Sequence, residues 1–242
     1  MIIIPARLNS TRFPKKILAD IKGTPMIIAT AKNALKVDEV VVACDDNQVL
    51  QICKSHKIKA ILTSPTHTSG TDRCAQAVEM LGLKEDEIII NVQADEPFLE
   101  TQIIALLKNK MKNADFMGTC AKIIDKDNLN DPNLVKVVCN HIQQAIYFSR
   151  LPIPYSRDGL DNPLLEKNPY YGHLGIYGFH VGSLKEFCKL PKSPLEDIEK
   201  LEQLRAIYYK KSIFVQIVES QSIGIDTPKD LENTLKSIEQ IQ

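Results

Sequence analysis

At 242 residues the chain has the length of one large α/β domain, or of one domain carrying a small appended piece. Its 30 lysines and arginines balance 30 aspartates and glutamates, and that zero net charge argues against nucleic acid as the main partner, since phosphate-backbone binding calls for a net basic face. The six cysteines are scattered without a C-x-x-C pair, which argues against a zinc or disulfide framework and for reduced core thiols in a cytoplasmic protein. The start of the chain carries no signal-peptide pattern, and no segment approaches the roughly 18 apolar residues of a membrane span, so no membrane insertion is expected.

The first predicted element is Ile2-Ile3-Ile4, a short apolar run that reads as a buried strand ending at Pro5, which cannot donate to a sheet ladder. Four cations follow within ten residues: Arg7, Arg12, Lys15 and Lys16. A buried strand opening into a cationic loop builds an anion site at the carboxyl edge of a parallel sheet, and the charge suits a nucleoside triphosphate. Taken alone, the stretch is equally compatible with a solvated basic loop.

Gly23 and Pro25 punctuate a turn, with Pro25 placed for the first position of a helix over Met26 to Leu35. Glu39 to Cys44 is a β-branched strand, and Asp45 and Asp46 are candidate caps for a helix through Val49 to Ser55. Lys59 to Thr63 is a short strand, and the polar loop 64–70 leads into a helix carrying Arg73, Ala77 and Met80. Glu87 to Val92 is the most apolar strand and runs straight into Gln93-Ala94-Asp95-Glu96-Pro97; a helix from about Thr101 to Lys112 follows. Strands alternating with helices at this spacing indicate βαβ units and a mostly parallel sheet.

After about residue 114 the pattern turns antiparallel. Asp115 to Lys122, Leu134 to Cys139 and Ala145 to Phe148 read as strands, with Asn140-His141 turning a hairpin between the last two. Residues 150–172 show little periodicity, and a loop of that length inside a compact domain is usually functional or interfacial. His173 to Phe179 is a strand, helices are predicted near 181–189 and 194–210, and Ile213 to Val218 is the last strand. A terminal helix is capped by Thr227 with Pro228 at its first position. The 194–210 helix has an apolar stripe of Leu195, Ile198, Leu201 and Leu204, and Glu202 and Gln203 fall off it on what is by default a solvated face.

Two acids follow strands: Asp95 after 87–92, and Asp226 before the last helix. Carboxylates at the carboxyl edge of a parallel sheet, near a cationic loop, suit magnesium. A solvated acid at 95 and a turn-organising aspartate in Gly-Ile-Asp-Thr-Pro at 226 are the plain alternatives. His173 and Tyr177 lie four apart on one strand and so share a face, where a satisfied core histidine is the ordinary account. Dinucleotide, Walker, zinc-helix and nucleophile-elbow motifs are absent from the sequence, so phosphate recognition falls to the first loop.

Ile4 to Lys16 (I-P-A-R-x-x-S-T-R-x-P-x-K) resembles the signature of the sugar-acid cytidylyltransferases. Further segments resemble the 3-deoxy-D-manno-octulosonate (Kdo) cytidylyltransferases, or CMP-Kdo synthetases: 68–73 (T-S-G-T-D-R), 91–97 (N-V-Q-A-D-E-P), 131–138 (D-P-N-L-V-K-V-V) and 147–150 (Y-F-S-R). So do 173–178 (H-L-G-I-Y-G), 193–196 with 201–205 (S-P-L-E and L-E-Q-L-R) and 224–228 (G-I-D-T-P). The match is colinear over nearly the whole chain. It implies an α/β fold with a mostly parallel nucleotide-binding sheet flanked by helices, of the nucleotide-diphospho-sugar transferase type. It also implies a single domain over 1–242 with a smaller antiparallel or α+β subdomain near 114–185 for substrate binding and dimerisation.

The implied reaction is CTP plus Kdo giving CMP-Kdo and pyrophosphate, with Mg2+, for lipopolysaccharide synthesis by a cytoplasmic homodimer. By resemblance, Arg7, Arg12 and Lys16 hold the triphosphate, and Ala6, Ser69, Gly70 and Arg73 form the cytidine pocket. Asp95 and Asp226 coordinate the metal and, with the three cations, make the catalytic set. Gln93, Arg150, His173, Tyr177, Glu202 and Gln203 bind the sugar acid. Departures from the pattern are Ala94 and Lys15 in place of glycines, Cys44 for threonine, His180 for arginine and a loose match over Leu151 to Asp158. The alternatives are another acidic sugar, such as sialic acid or an amino-Kdo, and a non-catalytic nucleotide-binding module. Retention of Asp95, Asp226 and the three loop cations argues against the last.

Overall fold

The computed structural model describes residues 1–9, 13–222, 224–225 and 227–241. The chain runs β1 (Ile2–Ala6), β2 (Asp20–Ile21), β3 (Thr24–Pro25), α1 (Met26–Ala34), β4 (Val40–Cys44), α2 (Asn47–Ser55), β5 (Ala60–Leu62), α3 (Gly70–Met80), β6 (Ile88–Asn91) and α4 (Thr101–Lys110). It continues through β7 (Met117–Ile123), β8 (Lys136–Cys139), β9 (Ala145–Ser149), α5 (Leu164–Lys167), β10 (Tyr171–His180), α6 (Val181–Lys189), α7 (Pro194–Glu199), α8 (Leu204–Tyr208), β11 (Ile213–Val218) and α9 (Pro228–Ile241).

The main sheet has the order β11-β7-β10-β6-β1-β4-β5, with the β8–β9 hairpin attached to β10. β6, β1, β4 and β5 are parallel neighbours, β11 is parallel to β7, and β10 runs antiparallel between β6 and β7. β2 and β3 form a separate two-stranded hairpin.

β1 shows why the sequence gives this layering. Both of its faces are buried, as in a parallel strand covered by helices on each side. Ile2 and Ile4 pack with Ile27, Ile28, Val49 and Ile104 from α1, α2 and α4, whereas Ile3 packs with Cys74, Val78 and Phe187 from α3 and α6. The strand does not stop at Pro5 but continues to Ala6. β6 pairs with β1 only at Ile2 and Ile3, so Pro5 has β4 on one side and no strand on the other, where its missing N–H costs nothing.

The helix predicted over 194–210 is two helices. Ser193 and Glu196 form a capping box that starts α7. Lys200 then takes a left-handed conformation (φ 55) that ends it, and α8 begins only at Leu204. Ile198, expected in the core stripe, is 77% exposed. The break is held by charge: Arg205 reaches back to Glu196 in a buried two-point contact, Nε to Oε2 at 2.8 Å and Nη2 to Oε1 at 2.6 Å. Pro25 likewise falls at the N-cap of α1 rather than its first turn. The cap predicted for α2 is Asp46, whose side chain accepts from Gln48 N, while Asp45 serves elsewhere.

Because both partners of the Glu196–Arg205 pair are buried, removing one leaves an uncompensated charge. Glu196→Ala is expected to lower stability by about 3–5 kcal/mol, read as a shift in the urea midpoint.

Candidate active site

The carboxyl ends of β1, β4 and β6 lie side by side, and the loops leaving β1, β5 and β6, together with the start of α3, line a cleft of about 300 Å³. From the first loop come Arg7 and Lys16; from the α3 start Ser69, Gly70 and Arg73; from the β6 loop Gln93 and Asp95. These predicted residues are brought together. Ala6 is fully buried in β1, and its neighbours Pro5 and Arg7 line the cleft instead. Arg12 and Asp226 lie outside the described residues.

Each wall has a local cause. Lys15 is left-handed (φ 53), and its turn sets the short helix that carries Lys16 inward. A glycine would hold that conformation without the roughly 1–2 kcal/mol that a side chain costs there. Lys16, only 9% exposed, pairs with the Asp95 carboxylate and so joins the β1 and β6 loops. Ser69 caps α3 by accepting from Asp72 N at 3.1 Å. A Cβ at Gly70 would meet Pro5 Cγ at 3.1 Å, so the missing side chain lets the start of α3 approach β1. Arg73 is 2% exposed and donates to Thr63 Oγ1 at 2.6 Å and to the Ser64 carbonyl at 3.2 Å. Its Nη2 lies 3.4 Å from Asp45 Oδ2, and Asp45 Oδ1 accepts from Leu8 N at 3.0 Å. Asp45 thus ties the first loop to Arg73.

Chain position 95 is also laced to the segment before Asp226. Ile225 N donates to the Asp95 carbonyl at 3.4 Å, and Ser222 Oγ donates to Glu96 Oε2 at 3.2 Å. Burial, with the neighbouring Asp95 charge, pushes the Glu96 carboxyl up to about 7. Asp95, half-buried at the cleft, offers the hard carboxylate oxygens that magnesium prefers. Among the described residues there is no cluster of three or more His, Cys, Asp or Glu able to hold a metal, and the second expected carboxylate is the undescribed Asp226. Ala94, which stands where a glycine is usual, is not among the positive-φ residues, so its methyl group is tolerated.

The residues expected to bind the sugar acid gather mostly beside the cleft. Tyr177 OH donates to Gln203 Oε1 at 3.1 Å, and the Tyr177 and His173 ring centroids are 5.5 Å apart. Thr71 donates to Glu202 Oε2 at 2.6 Å, next to Ser69 and Gly70. Burial pushes the Glu202 carboxyl up, while hydrogen bonds from Thr71 and Ser69 draw it back. Glu202 Oε1 and Asn91 Nδ2 are buried without a hydrogen-bond partner in the same region. Gln93 joins the two groups, lining the cleft while its Nε2 donates to Asn91 Oδ1 at 3.1 Å. Arg150 is placed differently: its guanidinium donates to the carbonyls of Glu199 and Pro132 at 2.7 and 2.8 Å, holding the turn after α7. Asn9, Ile17, His67 and Thr68 also line the cleft and were missed in the sequence. His67 sat in the polar loop 64–70, where its one signal was position.

A parallel sheet whose carboxyl edge carries cations and a carboxylate around a cleft of this size defines a nucleotide-handling α/β protein. The family model described as "Cytidylyltransferase" matches residues 1–213. The 3-deoxy-manno-octulosonate cytidylyltransferase of Helicobacter acinonychis is 56% identical over 98% of this chain and 96% of its own length. That of Wolinella succinogenes is 52% identical over 98% of each chain. A solved CMP:2-keto-3-deoxy-manno-octonic acid synthetase, in complex with CTP, superposes with a TM-score of 0.90 at 38% identity, covering 100% of this chain and 98% of that one. The chain belongs to the cytidylyltransferase family, and within it to the 3-deoxy-manno-octulosonate cytidylyltransferases.

Burial pushes the His173 imidazole down to about 3, so the ring is neutral near pH 7. Between about 3 and the ordinary value of 6.5 the folded state therefore binds fewer protons than the unfolded chain. The stabilisation is complete above that window and is lost as pH falls through it, by at most about 1.4 kcal/mol per pH unit. Urea melts at stepped pH are expected to show this acid slope, and His173→Gln to flatten it.

Proposed function

We propose that this chain transfers CMP from CTP to the anomeric hydroxyl of Kdo, giving CMP-Kdo and pyrophosphate for lipopolysaccharide synthesis. The observation that carries the proposal is the convergence of Arg7, Lys16, Arg73 and Asp95 on one cleft at the carboxyl edge of the sheet. The relatives named above act on this sugar acid by their names, and the CTP of the solved neighbour supports the choice of nucleotide.

In the transfer, the anomeric oxygen forms a bond to the α-phosphorus while the bond to the bridging oxygen of pyrophosphate breaks; the hydroxyl proton leaves to solvent. Such a step depends on positioning and on charge stabilisation. Arg7, Lys16 and the undescribed Arg12 hold the triphosphate, Lys16 being kept in place by Asp95. Ser69, Gly70 and Arg73 bound the nucleoside end. His173, Tyr177, Glu202, Gln203 and Gln93 offer hydroxyl-reading acceptors and donors for the sugar acid. Asp95 and Asp226 would hold magnesium, which when bound supplies charge neutralisation at the phosphates.

The protein is proposed to act as a cytoplasmic homodimer, with 114–185 as the substrate-binding and dimerisation part. Ile142, Ile146, Leu151 and Tyr155 are exposed apolar side chains on that region, in keeping with a protein contact there.

Pyrophosphate release from purified protein, magnesium, each nucleoside triphosphate and a panel of sugar acids is expected with CTP plus Kdo. Release only with another acidic sugar would move the assignment to that sugar, and release with no pair would mark a non-catalytic module. Asp95→Asn is expected to cut turnover roughly a hundredfold or more with the fold retained, read by circular dichroism; a near-normal rate would remove Asp95 from the site. Asp45→Ala frees Leu8 N and Arg73 together, so the KM for CTP is expected to rise roughly tenfold in the same assay.

A further inference from the structure

β10 is not a regular strand. His173 pairs with Ala121 and Leu174 with Cys120, but the next pair is Tyr177 with Thr119, so Gly175 and Ile176 are inserted against a single step of β7. Residues four apart in a regular strand are separated by about 13 Å. The insertion puts His173 and Tyr177 opposite residues only two apart on β7, and their rings touch, with centroids 5.5 Å apart. A bulge of this kind leaves backbone carbonyls without ladder partners.

Thr119, fully buried on β7, answers that need. Its Oγ1 lies 2.7 Å from the Ile176 carbonyl, 3.3 Å from the Leu174 carbonyl and 2.9 Å from His173 Nε2. A hydroxyl has one proton to give, and carbonyls can only accept. The Thr119 proton goes to the carbonyls, so its lone pair accepts from His173 Nε2–H. His173 Nδ1 then carries the imidazole lone pair, and it has no partner among the described residues. Phe148 closes the ring from the other side, edge-on at 5.1 Å.

We propose that Thr119 is a positioning residue for sugar-acid recognition: its hydroxyl holds the β10 bulge and fixes His173 as the Nε2–H tautomer, leaving Nδ1 to accept a hydroxyl proton of the sugar. The inference rests on the sugar-acid reading above for its ligand, but not for the tautomer.

Thr119→Val removes the hydroxyl and keeps the branched shape. It is expected to raise the KM for Kdo roughly tenfold while leaving the KM for CTP unchanged. In 15N-histidine spectra the His173 signal, identified by its loss in His173→Gln, is expected to show the Nε2–H tautomer in wild type and a mixture in Thr119→Val. Thr119→Ser is expected to restore both readouts. Equal KM values in wild type and Thr119→Val, or KM values for both substrates rising together, would overturn the proposal. An Nδ1–H tautomer in wild type would overturn it even if the valine variant does not fold. If the wild type turns over no sugar acid, the functional reading fails while the spectra still decide the tautomer: its retention in Thr119→Val removes Thr119 from the role.

Discussion

The ion pair between Lys16 and Asp95 is the contact on which the arrangement of the cleft depends. A lysine 9% exposed needs a counter-charge, because an isolated buried ammonium is strongly disfavoured. That requirement draws the loop after β1 onto the loop after β6. A second acid repeats the device one strand further out, since Asp45 holds both Leu8 N and Arg73. Lys16 and Arg73 are thus preorganised by carboxylates before any anion arrives, so an anion there meets fixed charges and not flexible surface side chains. It also shows how a chain of zero net charge presents a cationic cleft: Asp45 stands behind Arg73, outside the lining, and Asp95 is the one acid beside Arg7, Lys16 and Arg73 among the described lining residues.

The cluster around Glu202 and His173 is built on the opposite principle. Its polar groups are left partly unsatisfied: Glu202 Oε1 and Asn91 Nδ2 are buried without hydrogen-bond partners, the former with only Arg205 Nη2 at 3.8 Å. Each buried orphan costs on the order of 1–3 kcal/mol. Orphans of this sort are rare in folded proteins, and here they gather beside a cleft rather than scattering through the core. Folding tolerates the cost because the surrounding contacts over-determine the positions: Thr71 on Glu202, Gln93 on Asn91, and Thr119 and Phe148 on His173.

The part of this that was legible in the sequence follows local rules. Ile2 to Ile4 read as a buried strand because a parallel strand under two helix layers is apolar throughout, and the Thr227–Pro228 start of α9 is a short-range signal. Arg7 and Lys16 were flagged by the cationic loop after a strand and Asp95 by its place after another, while Ser69 and Gly70 came only with the colinear motif match; no local signal says that the loops after β1 and β6 meet, since that is a property of strand order. The misreadings come from long-range forces. A helix over 194–210 satisfies the 3.6 period, but Arg205 reaching back to Glu196 and Arg150 reaching across to the Glu199 carbonyl favour a broken one. His173 and Tyr177 were placed on one face correctly, yet their contact depends on a bulge set by a threonine some fifty positions away. Arg150 carried a motif, and its present partners are backbone carbonyls that no pattern specifies.

One short element links the two halves of the site. In the first turn of α3, Gly70 and Arg73 are three apart and fall on one side, where both line the cleft. Thr71, about 100° around the helix from Gly70, faces the other way and holds Glu202. Ser69 serves the turn itself as its cap. A displacement of this helix end would therefore be felt in the cleft through Arg73 and Asp45, and in the neighbouring cluster through Thr71 and Glu202. Gly70 sets how closely that end can approach Pro5, since a Cβ there would meet Pro5 Cγ at 3.1 Å.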